Sequence, residues 1–471
     1  MADYTTKDIR NIALISHAGS GKTSFAEAIV YNAGASNRFG KVDDGTSVSD
    51  YSEDEIERKV SISASILSFK YSNKRINIID APGYADFMGE ILSALNAVDS
   101  AVLLVDAHDG IQVGTEKTWT MAGELGLAKV IFLNKLDKEN VNFYSVVESI
   151  KERFGNSCVP VNIPIGTWPE FKGVVDLFDN TAIDKLSGED KEKASELRNS
   201  LIETIAEKND ELLEKYLEGK ELSPEEIKNG FKKAVSNKEF FPVYCGSATM
   251  NIGIKELMAS AFDALPSPAE GVIRKAKDPN ANQVKEIKPD TNGSFGAFVF
   301  KTVSDPYVGQ LTIFRVYTGS IKADTSFYNS TKSTTERIGH ILSVFGKEQR
   351  AVTEAIAGDI VAVAKLKDTL TGDSLCIEKD QVIFDPIEFP EPAISFSIKP
   401  KTRADEDKIS IALHKLTNED QTFKTRREEQ TKELIISGMG DLHLDIMINR
   451  LKKRFGVEVE KGTPKVAYKE T

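Results

Sequence analysis

The chain has 471 residues, too many for one hydrophobic core, and reads as three or four domains. Its 40% hydrophobic and 28% charged residues are those of an ordinary soluble protein, and neither a signal core in MADYTTKDIR nor a run long enough to span a bilayer points to a membrane. The net charge of −12 argues against DNA or whole-chain RNA binding, and three scattered cysteines (Cys158, Cys245, Cys376), with no CxxC pair, argue against disulfides or a zinc site and for a reducing, cytoplasmic setting.

In chain order, NIALIS (residues 11–16) is a β-branched apolar run, followed by SHAGSGKT (residues 16–23) and an amphipathic stretch from Thr23. The P-loop pattern is GxxxxGK[ST]; here Ser16 replaces the first glycine. Gly19 and Gly21 let the backbone N–H groups of Ser16, His17, Ala18, Gly19, Ser20, Gly21, Lys22, Thr23 and Ser24 turn toward phosphate oxygens, with a helix N-terminus behind them. Lys22 brings a charge to the β- and γ-phosphates, and Thr23 a hydroxyl to Mg²⁺. The bland alternative is a glycine-rich turn without a ligand. His17 reads as a packing residue.

Residues 43–63, DDGTSVSDYSEDEIERKVSIS, begin acidic and polar and read as a mobile loop. A nucleotide switch needs a loop hydroxyl that reaches Mg²⁺, and Ser61 is the candidate; otherwise it starts an edge strand. The strand RINIID (residues 75–80) ends in DAPG: Asp80 fits the Mg²⁺ carboxylate, and Gly83, after Ala81 and Pro82, can offer its N–H to a γ-phosphate. Tyr84 follows. SAVLLVDA (residues 100–107) and AKVIFLN (residues 128–134) are further strands, the latter ending in Asn134, Lys135, Leu136 and Asp137. Asp137 can accept from guanine N1–H and the exocyclic amine that adenine lacks, while Lys135 can lay its stem along the base. FPVYCGSA (residues 241–248) ends in Ser247 and Ala248, placed to offer a backbone N–H to guanine O6. Buried strands alternating with helices predict a parallel α/β sheet, with ligands at the C-terminal strand ends, where these motifs lie. Four such stretches in order predict GTP and GDP binding with Mg²⁺ held by Thr23, Ser61 and Asp80.

At this point the chain resembles translational GTPases of the elongation factor G family, from end to end. The family's AHIDAGKT corresponds to SHAGSGKT, RGITI to RKVSI (residues 58–62), DTPGH to DAPGY and NKMD to NKLD, while CGSA is unchanged. VPVNIPIG and FKGVVDLF (residues 159–166 and 171–178) resemble the start of the family's inserted subdomain. GQLTIFRVYTGSIKADTSFY and AGDIVAV (residues 309–328 and 357–363) resemble its β-barrel, and SIKPKTRADEDKISIALHKL and SGMGDLHLDIMINRLKKRFGVEV (residues 397–416 and 437–459) its third domain. The expected layout is an α/β P-loop GTPase domain over residues 1–268, with the insertion at about 157–240. A linker at 269–292, a β-barrel at 293–388 and a small α+β, ferredoxin-like domain at 389–471 follow. The ending VAYKET stands where the family opens its fourth domain, so the chain reads as domains I to III of a longer protein.

The resemblance implies a GTPase that binds the ribosome and drives translocation when full length; the expected state is a cytoplasmic monomer. Catalysis would fall to Lys22, Gly83 and position 84. The family places a histidine there to orient water; Tyr84 is a phenol, a weak base that still holds a water by one hydrogen bond. Ala18 stands where the family has an isoleucine gating that histidine, and Gly19 where it has an aspartate near a monovalent cation. The expectation is that both losses make room for the Tyr84 ring and that hydrolysis is slow. An accessory factor for recycling, protection or stalling, or a GTP-responsive module with negligible turnover, are the alternatives. His443 reads as a packing or capping group, and Arg450, Lys452, Lys453 and Arg454 as a solvated basic face.

Overall fold

Seven-residue apolar runs separated by helices build the first domain. In the computed structural model, which describes residues 4–279, 281, 283–305 and 309–465, the order is β1 (Ile9–Ile15), α1 (Lys22–Asn32), α2 (Glu53–Arg58), β2 (Ser65–Tyr71), β3 (Lys74–Asp80), α3 (Met88–Asn96), β4 (Ser100–Asp106), α4 (Val113–Glu124), β5 (Ala128–Asn134), α5 (Phe143–Phe154) and β6 (Cys158–Pro160). Every residue of β1, β4 and β5 is buried, as a sheet covered on both faces requires. The sheet runs β2-β3-β1-β4-β5-β9-β6, with β9 at Phe241–Cys245; β2 alone is antiparallel.

The structure corrects two expectations here. The segment read as a mobile loop contains α2, capped by Ser52, whose Oγ accepts from the Glu55 N–H at 3.3 Å. Ser61 lies before β2 and starts no strand. Likewise β6, expected inside the insertion, is an edge strand of the main sheet on β9. The insertion proper is a hairpin, β7 (Asn162–Ile165) and β8 (Gly173–Asp176), followed by α6 (Asn180–Asp184), α7 (Glu189–Glu207), α8 (Asp210–Leu217) and α9 (Pro224–Ser236). After β9, α10 (Ile254–Ala264) closes the domain.

The stretch expected as a linker also folds. Strands β10 (Arg274–Asp278) and β11 (Gln283–Ile287) form a hairpin. The barrel follows with β12 (Gly296–Asp305), β13 (Gly309–Thr318), β14 (Ser320–Lys322), β15 (Ser326–Asn329), β16 (Thr334–Arg337), β17 (Ile341–Phe345), β18 (Glu348–Val352), β19 (Glu354–Ile356), β20 (Ile360–Ala364), β21 (Ser374–Cys376) and β22 (Ile383–Phe384). β22 pairs with β10, tying the hairpin to the barrel's last strand. The barrel sheet joins the first domain where Phe345 of β17 pairs with Leu67 of β2 and the Gly346 N–H donates to the Ile66 carbonyl at 2.9 Å. The barrel has its own core, including Val299, Phe314, Val316 and Leu375.

The third domain is β23 (Ile394–Pro400), α11 (Arg403–Glu419), β24 (Lys424–Arg427), β25 (Leu434–Gly438), α12 (Asp441–Phe455) and β26 (Val459–Gly462). Two strands separate the helices. The antiparallel order β24-β25-β23-β26 is the ferredoxin-like arrangement, with Ile398, Leu416, Phe423, Ile436 and Leu451 among its core residues. VAYKET lies outside the described residues. Among the described residues no helix is long and apolar enough to cross a membrane, and the three cysteines are buried and free.

Candidate functional site

The four predicted motifs meet at the C-terminal ends of β1, β3, β5 and β9. The turn after β1 reverses through Gly19 (φ 81°) and Gly21 (φ 90°), left-handed conformations that favour glycine. The Lys22 ammonium, 6% exposed, donates to Ser16 Oγ at 2.8 Å and reaches the His17 carbonyl at 3.4 Å. Ser16 thus supplies a hydroxyl where the P-loop pattern has glycine. Burial pushes the Lys22 ammonium down to about 8, against the opposing pull of Asp80 and Asp50. An anion in the turn would favour its charged form further. Gly83 packs against this turn: a Cβ there would lie 2.5 Å from Lys22 Nζ and 2.8 Å from the Ala18 nitrogen. His17 acts through its carbonyl and packs against Gly114, and Ser24 lies in the first turn of α1.

Asp80 is 1% exposed, and neither carboxylate oxygen has a hydrogen-bond partner. Burial raises its pKa; Lys22 and the nearby Thr23 and Ser49 hydroxyls oppose that rise. Thr23 Oγ1 and Ser61 Oγ are 3.0 Å apart. Two hydroxyls and an orphaned buried carboxylate form a hard-oxygen donor set suited to Mg²⁺. Among the described residues no group of three or more His, Cys, Asp or Glu converges on a metal position, so phosphate and water oxygens would complete the shell.

On the other side, Asn134 Nδ2 donates to the Ser20 carbonyl and its Oδ1 accepts from the Ala248 N–H, both at 2.8 Å. One amide therefore ties the phosphate turn to the loop after β9. Lys135, in the left-handed region (φ 66°), donates to the Gly19 carbonyl at 2.7 Å and pairs with Asp106 at 2.6 Å. Leu136 is buried, and its N–H donates to the Gly246 carbonyl at 3.2 Å. Asp137 has a buried Oδ1 without a partner, the acceptor that a guanine amine would satisfy. Ser247 is fully buried, its N–H donating to the Ile252 carbonyl at 3.0 Å.

The comparisons follow the same three-part plan. The family model described as elongation factor Tu GTP binding domain matches residues 7–267, elongation factor G domain 2 matches 294–378, and elongation factor G, domain III, matches 389–463. The chain belongs to the elongation factor G-like translational GTPases. A crystal structure of a protein from Thermus thermophilus is similar at 33% identity, covering 98% of this chain and 68% of that one, with a TM-score of 0.86.

Against that family pattern, Tyr84 is 40% exposed and stands just before a short 3₁₀ turn, Ala85–Phe87. The expectation that its ring fills the space at Gly19 is not met: nothing outside the adjoining residues lies within 4 Å of where a Gly19 Cβ would be.

Several contacts in this elongation factor G-like site were not anticipated. Asp50, 5% exposed, faces the Ser61 and Thr23 hydroxyls; burial, then Asp80 and Glu55, raise its pKa. Glu27 of α1 accepts from Ser47 Oγ at 2.9 Å and the Val48 N–H at 2.6 Å. Glu55 Oε1 accepts from the N–H groups of Ile62 at 3.0 Å and Ser63 at 3.1 Å. These carboxylates hold the segment before β2 against α1 and place Ser61. Composition offers no signal that separates Asp50 or Glu55 from the other acids of the loop. His443 agrees with its structural reading: it is fully buried, its Nδ1 accepts from the Met439 N–H at 3.1 Å, and its Nε2 lies 3.0 Å from Asp420. The basic face is corrected at Arg450, which is 6% exposed and faces Asp54; Lys452, Lys453 and Arg454 are exposed as expected, and pair with Glu458, with Asp54 and Glu57, and with Glu419.

Proposed function

We propose that the chain binds GTP and GDP with Mg²⁺, hydrolyses GTP slowly and serves a ribosome-associated step of translation in the cytoplasm. The observation that carries this reading is that Asp80, at the end of β3, keeps both carboxylate oxygens and Asp137, just past β5, its Oδ1 buried without partners, while Thr23 lies near Asp80 and meets Ser61 and Asn134 holds the Ala248 N–H. The backbone N–H groups of residues 16–24 and the Lys22 ammonium would hold the phosphates; Thr23, Ser61 and Asp80 would hold Mg²⁺, which screens phosphate charge. Asp137 would select guanine. The Gly83 N–H, beside Lys22, would meet the γ-phosphate and move toward it with the segment that carries Tyr84.

A water attacking the γ-phosphate needs a group to orient it. The half-exposed Tyr84 hydroxyl can offer one hydrogen bond and little basicity, which favours a long-lived GTP state and an accessory role over rapid translocation. The test is GTP turnover by the full-length protein with and without ribosomes. Ribosome-stimulated but slow turnover supports the reading. Turnover as fast as that of a histidine-bearing factor removes the slow-enzyme proposal, and ribosomes that neither bind nor stimulate remove the translational one.

A further inference from the structure

The helix that begins at the phosphate turn ends against the loop after β9. Asn32 closes α1; its Nδ2 donates to the Ala28 carbonyl one turn back, at 2.8 Å, and to Asn251 Oδ1, while Asn251 Nδ2 donates in return to Asn32 Oδ1 at 3.3 Å. Each amide both gives and takes a hydrogen bond, and the bond to Ala28 fixes the Asn32 side chain on its own helix. From Lys22 to Asn32 the helix rises about 15 Å. One rigid element therefore carries the phosphate lysine at one end and a grip on the loop after β9 at the other.

That loop is closed tightly at its base. A Cβ on Gly246 would lie 2.1 Å from the Ile252 carbonyl oxygen, and one on Gly253 2.2 Å from that of Cys245, so its two legs touch. The Ser247 and Ile252 N–H groups donate to each other's carbonyls at 3.0 Å, the Met250 N–H to Ser247 Oγ at 3.2 Å, and the Asn251 N–H to the Ala248 carbonyl at 3.2 Å. The Ala248 N–H leaves the loop, to Asn134 Oδ1 at 2.8 Å. At the tip, Thr249 and Met250 are exposed, so hydrogen bonds rather than packing hold it in place. Asn251 stands in the left-handed region (φ 58°), which asparagine tolerates; its side chain reaches α1 while its N–H stays on Ala248. Asn32 thus acts on Ala248 through Asn251 alone.

We propose that Asn32 and Asn251 are positioning residues for reading the 6-oxo group of guanine: the amide pair holds the Ala248 N–H at a fixed depth, so that an oxygen on C6 fits and a larger, weaker acceptor does not. This rests on Ala248 as the donor to guanine O6, and the two ideas fail differently in the test. Calorimetry on the full chain compares three diphosphates with Mg²⁺. GDP is the reference; 6-thio-GDP puts sulfur in place of O6 and keeps the N1–H and the amine; IDP keeps O6 and lacks the amine assigned to Asp137. Wild type is set against Asn32→Ala, Asn251→Gly and the double variant; glycine removes the Asn251 amide and accepts its left-handed backbone. Wild type is expected to prefer GDP over 6-thio-GDP at least about tenfold, and each single variant to cut that preference at least about threefold. The preference for GDP over IDP should stay at its wild-type value. The double variant should lose no more than either single one, because both remove the same pair. A pair that only stabilised the fold would weaken all three nucleotides alike; both ratios at wild-type values in the variants would therefore overturn the proposal, as would additive losses in the double variant. Equal wild-type affinity for GDP and 6-thio-GDP would remove the assignment of Ala248 to O6, and the proposal with it. If Asn32→Ala fails to fold, Asn251→Gly decides the same question.

Discussion

Arg315 of the barrel donates to both carboxylate oxygens of Asp99 in the GTPase domain, at 2.8 Å each, with both side chains almost fully buried. The pair is the end of a longer chain of polar groups. Asn11 Nδ2 donates to Asp99 at 3.1 Å, Asn77 to Asn11 at 2.8 Å, and Ser68 to Asn77 at 2.7 Å. It runs from the barrel through Asp99, the residue before β4, and through β1 and β3 to β2, the strand that follows Ser61. Removing one partner leaves the other charge buried and uncompensated. Arg315→Met is therefore expected to destabilise the chain by about 3–5 kcal/mol, and adding Asp99→Asn to recover part of that loss. Denaturant melts of the single and double variants check it; additive losses would mean that the two residues do not act as a pair.

Base choice is expected to depend on Asp137. GTP and GDP should bind with Mg²⁺ and ATP should not, because an adenine leaves the buried Oδ1 without a donor. Asp137→Asn should weaken guanine nucleotides and admit xanthine nucleotides, which carry an oxygen in place of the amine. Calorimetry decides; equal wild-type affinity for ATP and GTP would remove the basis of the assignment.

Hydrolysis is expected to be slow because of Tyr84. Loss of a positioned acid–base group costs about 10²–10⁴-fold, a deficit readily seen in single-turnover hydrolysis on ribosomes. Tyr84→His alone should recover little, since Ala18 and Gly19 remain as they are. A fall in Tyr84→Phe would assign water orientation to the hydroxyl; an unchanged, substantial rate would deny it that part.

A separate group governs acid behaviour. Asp359 is 2% exposed; burial pushes its carboxyl up to about 6 from 3.8, against the Ile356 N–H, the Tyr4 hydroxyl and Arg75, which favour the charged form, while Glu354 adds to the rise. A raised folded-state pKa means the folded chain holds this proton more tightly than the unfolded one. Its contribution is therefore full below about pH 4 and is lost as pH rises to about 6, a change of roughly 3 kcal/mol at most. Asp359→Asn should flatten that part of the stability profile. Thermal melts from pH 4 to 7 measure it, and parallel profiles for variant and wild type would show that Asp359 does not titrate there.

Much of this protein was legible in its sequence because the deciding terms are local. Apolar runs without polar interruption specify buried parallel strands, and a glycine turn before Lys22 and Thr23 specifies a phosphate loop whatever surrounds it. The strand–turn register also carried Asp80, Asn134 and Asp137 to the right ends of the sheet. What the sequence could not decide were contacts between distant segments. Residues 43–63 read as a loop since their acids look alike in composition; Asp54 became a buried partner only because α12, some 400 residues later, brings Arg450 and Lys453 against it. Arg450 read as part of a solvated face, since the sign of a charge does not say which surface will meet it. Residues 269–292 read as a linker although β10 and β11 pair locally there; the strand that ties this hairpin to the barrel lies about a hundred residues away, at Ile383–Phe384. Local preference writes the elements and the motifs; long-range complementarity of charge, hydrogen bonds and shape decides which acids are buried, which loop is held, and against what.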